Sequence, residues 1–192
     1  ADEHLLEPVT LDLEIDWGSE NLETVRRTAI KRYNAEIHAQ SALEAILNLR
    51  ERQPCHPDQI ERIELDTFDA AYDLHGYHGQ ADSDQVRTRA EAYRSLPYLM
   101  AAALLDGEVS PSQYKPERIL REDVQRLMRK VVVRRDKDFS RRFPEELPAR
   151  VQIFLRNGQI LAKEKRDYEG YVSRPLGWER AVEKFQDLTI YE

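Results

Sequence analysis

Apolar residues recur every three to four positions from Ala42 onward, with Ala42, Ile46 and Leu49 on one row and Leu43 and Leu47 beside it. That spacing predicts an amphipathic helix beginning at Ser41. It ends near Gln53, because Pro54 and Pro57 cannot continue it. Over residues 60–68 the period changes to two: Ile63, Leu65 and Thr67 alternate with Arg62, Glu64 and Asp66, which predicts a half-buried strand. Residues 70–74 read as a short helix, and the following HGYHGQADSD as a polar, glycine-rich loop. Residues 88–105 form a second long helical pattern, rich in alanine. Pro97 imposes a break near Ser95 and Leu96, and Gly107 supplies the stop. Ser110-Pro111 opens a further short helix, with proline at its first position. Residues 122–129 make one more helix, and 131–133 a short strand that reads as buried. Val151, Ile153 and Leu155 alternate with Gln152, Phe154 and Arg156 over residues 148–156. Asn157-Gly158 then signals a two-residue hairpin turn, and residues 159–166 return as the second strand. Residues 178–188 read as a closing helix. At the other end, Val9, Leu11, Leu13 and Ile15 alternate as a strand or extended arm. Asn21 is placed to cap residues 22–27, and 25–33 read as extended.

The tally is two long helices, several short ones and about five strands. This predicts an α+β fold: a two-layer sandwich of a mainly antiparallel sheet with helices. With 192 residues and no linker, residues 1–192 read as a single domain with a real core. Charge narrows the functional classes. The formal net charge of −7 argues against general nucleic-acid binding, which needs a basic face. It leaves room for a local basic pocket that takes an acidic substrate. No apolar run reaches membrane-spanning length, and no membrane association is expected. The single cysteine, Cys55, has no internal disulfide partner, and the acidic start ADEHLLEP lacks a signal-peptide pattern. Both fit a cytoplasmic location.

The chemistry concentrates just ahead of the first long helix, in KRYNAEIHAQS (residues 31–41). Lys31, Arg32, Asn34, Glu36, His38, Gln40 and Ser41 fall within eleven residues. His38, Gln40 and Ser41 sit at or near a helix N-terminus, where unpaired N–H groups and the dipole favour anions. Read for function, this is a loop holding a carboxylate or phosphate, with one histidine able to move protons. Read for structure, Ser41 is an N-cap, Glu44 completes a capping box with it, and the two cations are solvated.

The same stretch resembles the MmgE/PrpD family, most closely its 2-methylcitrate dehydratase branch. The resemblance runs through residues 15–47, 60–74, 85–114 and 143–185 in the same order, and so covers nearly the whole chain. It implies a hydro-lyase that handles citrate-like tricarboxylates and converts 2-methylcitrate to 2-methylaconitate in propionate catabolism. It also implies that no metal and no cofactor are needed. One cysteine, too few for an iron–sulfur cluster, agrees with that. The family usually forms homodimers. Its members begin with a large helical domain that supplies further active-site groups, and this chain resembles the smaller second domain that follows. An isolated second domain is expected to lack part of the active site and to expose an apolar face, which favours a homodimer or association with a helical partner domain.

The resemblance also distributes roles. Lys31 matches an active-site lysine that clamps a carboxylate or donates a proton, and Tyr98, in SLPYLMAAALLDG, matches an active-site tyrosine; read without the resemblance, Tyr98 is a core aromatic. His38 stands open as base, carboxylate ligand or structural histidine. Arg32, Gln40 and Arg174 are candidates for substrate carboxylates, although Arg174 in YVSRPLGW is equally a surface turn. His75 and His78 read as solvated loop residues rather than metal ligands. Two alternatives stand beside the dehydratase: a free-standing domain that binds a ligand or partner without catalysis, and another activity of the family such as cis-aconitate decarboxylation.

Overall fold

The computed structural model describes residues 28–76 and 85–189; the alternating run of residues 9–15, the cap at Asn21 and His78 lie outside them. Residues 28–36 carry no regular element, and a single 3₁₀ turn at Ile37–Ala39 runs directly into α1 (Gln40–Arg52). Then come β1 (Ile60–Thr67), α2 (Asp69–His75), α3 (Arg89–Arg94) and α4 (Leu96–Asp106). A 3₁₀ turn at Pro111–Tyr114 precedes α5 (Pro116–Ile119) and α6 (Glu122–Met128). The chain continues with β2 (Val131–Arg135), α7 (Lys137–Arg142), β3 (Ala149–Leu155), β4 (Ile160–Lys165) and α8 (Trp178–Thr189).

The fold is α+β. Among the described residues four strands form one sheet in the order β2-β1-β3-β4. β1 pairs antiparallel with β3, β3 antiparallel with β4, and β1 parallel with β2. One face of the sheet presents Ile63 and Leu65 of β1 and Val151 and Ile153 of β3, all fully buried. α1 covers the β3–β4 side of this face and α4 the β2 side, and α1 and α4 pack on each other. The opposite face carries ion pairs. Glu64, nearly buried, accepts from Arg62 at 2.8 Å and from Arg134 at 2.8 and 3.0 Å, and Asp66 accepts from Arg150 at 2.9 Å. The Arg62 guanidinium lies 3.6 Å above the Phe154 ring. Strand alternation thus puts apolar side chains under the helices and charges behind them. β2 lies at the sheet edge and is not the buried strand expected: Val132 is 41% exposed, because it points to the charged face.

The breaks in the chain follow local chemistry. Ser95 separates α3 from α4, and its hydroxyl accepts the Tyr98 N–H at 3.2 Å while Pro97 occupies the first turn. Gly107 ends α4 at φ +82°, with its N–H on the Ala103 carbonyl at 2.9 Å. In the β3–β4 hairpin the Leu155 N–H reaches the Gln159 carbonyl and the Gly158 N–H reaches the Leu155 carbonyl, both at 2.9 Å. Three residues therefore cross, one more than the Asn-Gly signal implies, with Gly158 at φ +86°. A second apolar cluster of Phe68, Ala71, Phe139, Leu147 and Tyr168 lies apart from the main core. α8 buries none of its residues, and Trp178, Phe185 and Leu188 are exposed on it.

Gly170 joins the start of the described chain to its end. The Ile30 N–H donates to the Gly170 carbonyl, and the Gly170 N–H to the Arg174 carbonyl, both at 2.7 Å. A Cβ at this position would lie 2.2 Å from the Ile30 carbonyl oxygen, and φ is +115°. Gly170→Ala is expected to cost about 3 kcal/mol in urea denaturation, from backbone strain plus the clash. Gly158→Ala, with positive φ but open space around its Cβ, is expected to cost only about 1 kcal/mol.

Candidate functional site

The segment bearing Lys31, Arg32, Glu36 and His38 has almost no backbone ladder of its own, so its shape must come from elsewhere. Gln40 supplies it. Its side chain is fully buried at the start of α1. Oε1 accepts the Tyr33 N–H at 2.9 Å, and Nε2 faces the carbonyls of Tyr33, Ala35 and Glu36 at 3.1, 3.2 and 3.3 Å. The Asn34 N–H reaches the Val109 carbonyl at 3.1 Å, and the Tyr114 hydroxyl donates to the Asn34 carbonyl. One helical turn after Gln40, the buried Glu44 ties down the other flank. Its carboxylate accepts from Lys165 at 2.5 Å, from Arg174 at 2.8 and 2.9 Å, and from the Glu169 N–H at 2.7 Å.

On one side of this segment lies a cavity of about 650 Å³. Its walls come from residues 31–34, the outer turns of α1, the 107–111 loop and α8. Four cations, Lys31, Arg32, Arg50 and Lys184, face three carboxylates there, Glu51, Glu108 and Asp187. Two of the cations are spoken for: Arg32 pairs with Glu169, and Arg50 donates to the Leu104 carbonyl at 2.9 Å. Lys31 and Lys184 are different. Lys31 Nζ donates to the Tyr93 hydroxyl at 3.0 Å, and Lys184 Nζ donates to the Lys31 carbonyl. Among the described residues neither ammonium has a carboxylate within ion-pair distance. Burial pushes the Lys184 pKa below its ordinary value, and the charge on Lys31 pushes it the same way. A partly buried ammonium beside a second ammonium is a place where an anion is stabilising.

His38 faces away from that cavity, into a group with Glu36 and His75. Glu36 caps the 3₁₀ turn by accepting the His38 backbone N–H at 3.0 Å. The same oxygen lies 2.9 Å from His38 Nδ1 and 3.5 Å from His75 Nε2. The two imidazole centroids are 5.7 Å apart, and Phe68 and Phe143 stand 5.7 and 6.0 Å from the His38 ring. His75, expected as a solvated loop residue, is only 7% exposed, because α2 carries it inward at its last turn. Burial holds its imidazole below the usual histidine pKa; the Glu36 carboxylate opposes the shift without cancelling it. For Glu36 burial acts to raise the pKa, but the His38 N–H and the two imidazoles outweigh it and hold the carboxyl low. At neutral pH Glu36 is therefore a carboxylate beside a neutral His75 imidazole.

The structure therefore separates the residues that the sequence grouped. Lys31 and Arg32 line the cavity; His38 does not. Gln40 spends its amide on the backbone. Arg174 binds Glu44 and also Asp167, at 2.7 Å, so its planar fork is filled by protein carboxylates. Tyr98 is fully buried, its hydroxyl donates to the Gln113 carbonyl, and burial pushes its pKa up to about 12. The Ser41–Glu44 capping box does not form: Glu36 caps the preceding turn, Ser41 lies inside the helix, and Glu44 is drawn to the far side by Arg174 and Lys165. Lys184 and His75 are not singled out by sequence patterns. Lys184 carries only the amphipathic pattern of α8, and His75 only its proximity to glycines.

Comparison with known proteins matches residues 33–191 to the family model described as the MmgE/PrpD C-terminal domain. Lys31 lies two positions before the matched range. A curated relative, cis-aconitate decarboxylase of Mus musculus, is 28% identical over 148 residues. The match takes in 77% of this chain but only 28% of that relative's length.

Glu44→Gln is expected to destabilise the fold by about 3 kcal/mol in urea denaturation, because it leaves Lys165 and Arg174 facing a neutral amide at a buried position. Arg174→Ala is expected to cost about 1 kcal/mol, discounted for its partial exposure, and to leave the affinity for carboxylate ligands unchanged.

Proposed function

The chain belongs to the MmgE/PrpD family, and we propose that it supplies the Lys31 side of a site for a citrate-like tricarboxylate in a hydro-lyase that dehydrates 2-methylcitrate. The observation that carries this reading is the pair Lys31 and Lys184 on one cavity, two cations with no carboxylate within ion-pair distance among the described residues. Dehydration breaks a C–H bond beside a carboxylate and a C–O bond on the neighbouring carbon; a C=C bond forms and water leaves. It needs a base for the first proton, an acid for the departing hydroxyl, and cations for the carboxylates. Lys31 suits the second or third of these roles, since its ammonium, held by the Tyr93 hydroxyl, can bind a carboxylate or protonate the leaving oxygen. Lys184 suits the third; Arg32 lines the same cavity but is committed to Glu169. Tyr98, Gln40 and Arg174 stand outside this assignment because their polar groups are committed within the protein, and His38 because it faces another cluster.

In this reading the base, and the rest of the substrate-binding surface, come from beyond the described residues, from a second copy or a helical domain. The exposed Trp178, Phe185 and Leu188 on α8, beside the cavity walls that α8 provides, fit such an association. The relative whose printed name is cis-aconitate decarboxylase favours a second reading, loss of CO₂ from cis-aconitate with return of a proton to carbon. Both reactions place a polycarboxylate over the same cations.

Calorimetric titration of the chain with 2-methylcitrate, cis-aconitate and acetate tests the proposal. Binding of both tricarboxylates in preference to acetate is expected, weakened about tenfold by Lys31→Met and by Lys184→Met and unchanged by Lys163→Met on β4. Tighter binding of 2-methylcitrate than of cis-aconitate supports the dehydratase over the decarboxylase. Affinity that ignores the Lys31 and Lys184 substitutions overturns the reading.

A further inference from the structure

We propose that a second cavity, at the end of the sheet where β1 and β2 begin, binds the phosphate group of a small phosphomonoester. It shares no lining residue with the Lys31 cavity.

Three cations converge there on one short stretch of chain. A 3₁₀ turn at Pro57–Gln59 leads directly into β1. Arg126, on α6, donates to the Asp58 carboxylate at 2.9 Å. Arg156, just past β3, donates through Nε to the Asp58 carbonyl at 3.1 Å. Lys130, between α6 and β2, donates to the Ile60 carbonyl at 2.5 Å. Sheet topology explains the meeting. β1 and β2 are parallel and start at the same end, and β3, antiparallel to β1, finishes there.

The charges at this end do not balance. Among the described residues neither Lys130 nor Arg156 has a carboxylate within ion-pair distance. The carbonyls they bind satisfy donors but supply no negative charge. Asp58 pairs with Arg126, but the two side chains are 64% and 58% exposed. Such a pair is worth little, so Arg126 can turn to a ligand at small cost. Asp123, the other carboxylate on the cavity wall, is held by Arg118 at 3.0 Å and by Arg121 at 2.7 Å. Lys130 is half-buried. Burial pushes its pKa below the ordinary value, and the charges of Arg156 and Arg126 push the same way against the Asp58 carboxylate. An anion placed among these groups is stabilised by all three cations.

Charge and shape narrow the anion. Two cations without a counter-ion match a phosphate dianion better than a single carboxylate. A guanidinium fork fits phosphate oxygens, and Arg156 spends only Nε on the protein, which leaves both terminal nitrogens to a ligand. The cavity holds about 230 Å³, more than a phosphate group fills. Arg126 and Lys130 stand on its wall beside Pro57, Leu105 and Leu127. That apolar side suits the carbon skeleton of an ester, as ligand sites combine apolar walls with a few placed polar groups.

The test is calorimetric titration of the chain with phenyl phosphate and with inorganic phosphate. One phenyl phosphate per chain is expected, with saturation below roughly 10 mM and tighter binding than inorganic phosphate. Lys130→Met and Arg156→Met are each expected to weaken it at least tenfold. Arg141→Met, on α7, where the side chain is 74% exposed, leaves it unchanged. Arg156 lies on the exposed hairpin, so its variant decides the matter if Lys130→Met fails to fold. No binding by the parent chain, or binding that survives both substitutions, overturns the proposal. Inorganic phosphate binding as tightly as the ester overturns the assignment to a monoester. Binding lost in Lys31→Met but kept in Lys130→Met and Arg156→Met puts the anion in the other cavity and also overturns it. No tricarboxylate takes part, so these results leave the reading of the Lys31 cavity to its own titration.

Discussion

A single buried amide shapes the part of this protein that carries its chemistry. The Gln40 side chain accepts one backbone N–H and faces three backbone carbonyls of residues 33–36. Without those partners the segment from Tyr33 to Glu36 has little else to hold it, since its own backbone makes few ladder bonds. An apolar residue at position 40 would strand several polar groups in the core, a cost of a few kcal/mol. Glu44, one turn along the same helix face, does for residues 165–174 what Gln40 does for 33–36. α1 is thus more than a core helix: two of its polar side chains reach out and fix loops on either flank.

From that frame the two chemical neighbourhoods follow. The segment held by Gln40 presents Lys31 and Arg32 to one cavity and Glu36 and His38 to a separate cluster. In the first, the ammonium groups of Lys31 and Lys184 have no carboxylate within ion-pair distance among the described residues. In the second, imidazoles and a carboxylate converge with nitrogens unpaired. The rear face of the sheet pairs Glu64 with Arg62 and Arg134, and Asp66 with Arg150, and Arg118 binds Asp106 and Asp123.

Much of the fold was legible because it rests on local rules. The period-3.6 run after Ser41, the alternation in residues 60–68 and 148–156, Pro97 as a break and Gly107 as a stop each act within a few residues, and each appears where expected. What failed to read depends on partners far along the chain. Glu44 looks like a capping-box residue until Lys165 and Arg174 arrive from more than 120 positions away. Arg174 and Gln40 look like substrate ligands for the same reason: a sequence shows the donor but not what it donates to. His75 looks solvated because nothing local says that α2 turns it toward His38. Lys31 and Arg32 stand out through family resemblance, and the cavity at their side chains adds a physical reason for their place; Lys184 needed the fold.

Membership of the MmgE/PrpD family places this chain among proteins in which this domain is one part, and the mouse relative is more than three times as long as the matched stretch. The half-site proposed above requires its groups to be held before a ligand or a second domain arrives, and the Gln40 clamp holds residues 33–36 in that way. Amide hydrogen exchange at Tyr33 tests this most directly, because its N–H is bonded to Gln40 alone and lies outside every helix and strand. A rigid platform predicts protection of Tyr33 comparable to the core amides of α1, since both open only with global unfolding. Exchange of Tyr33 at the rate of an unprotected loop would contradict the account.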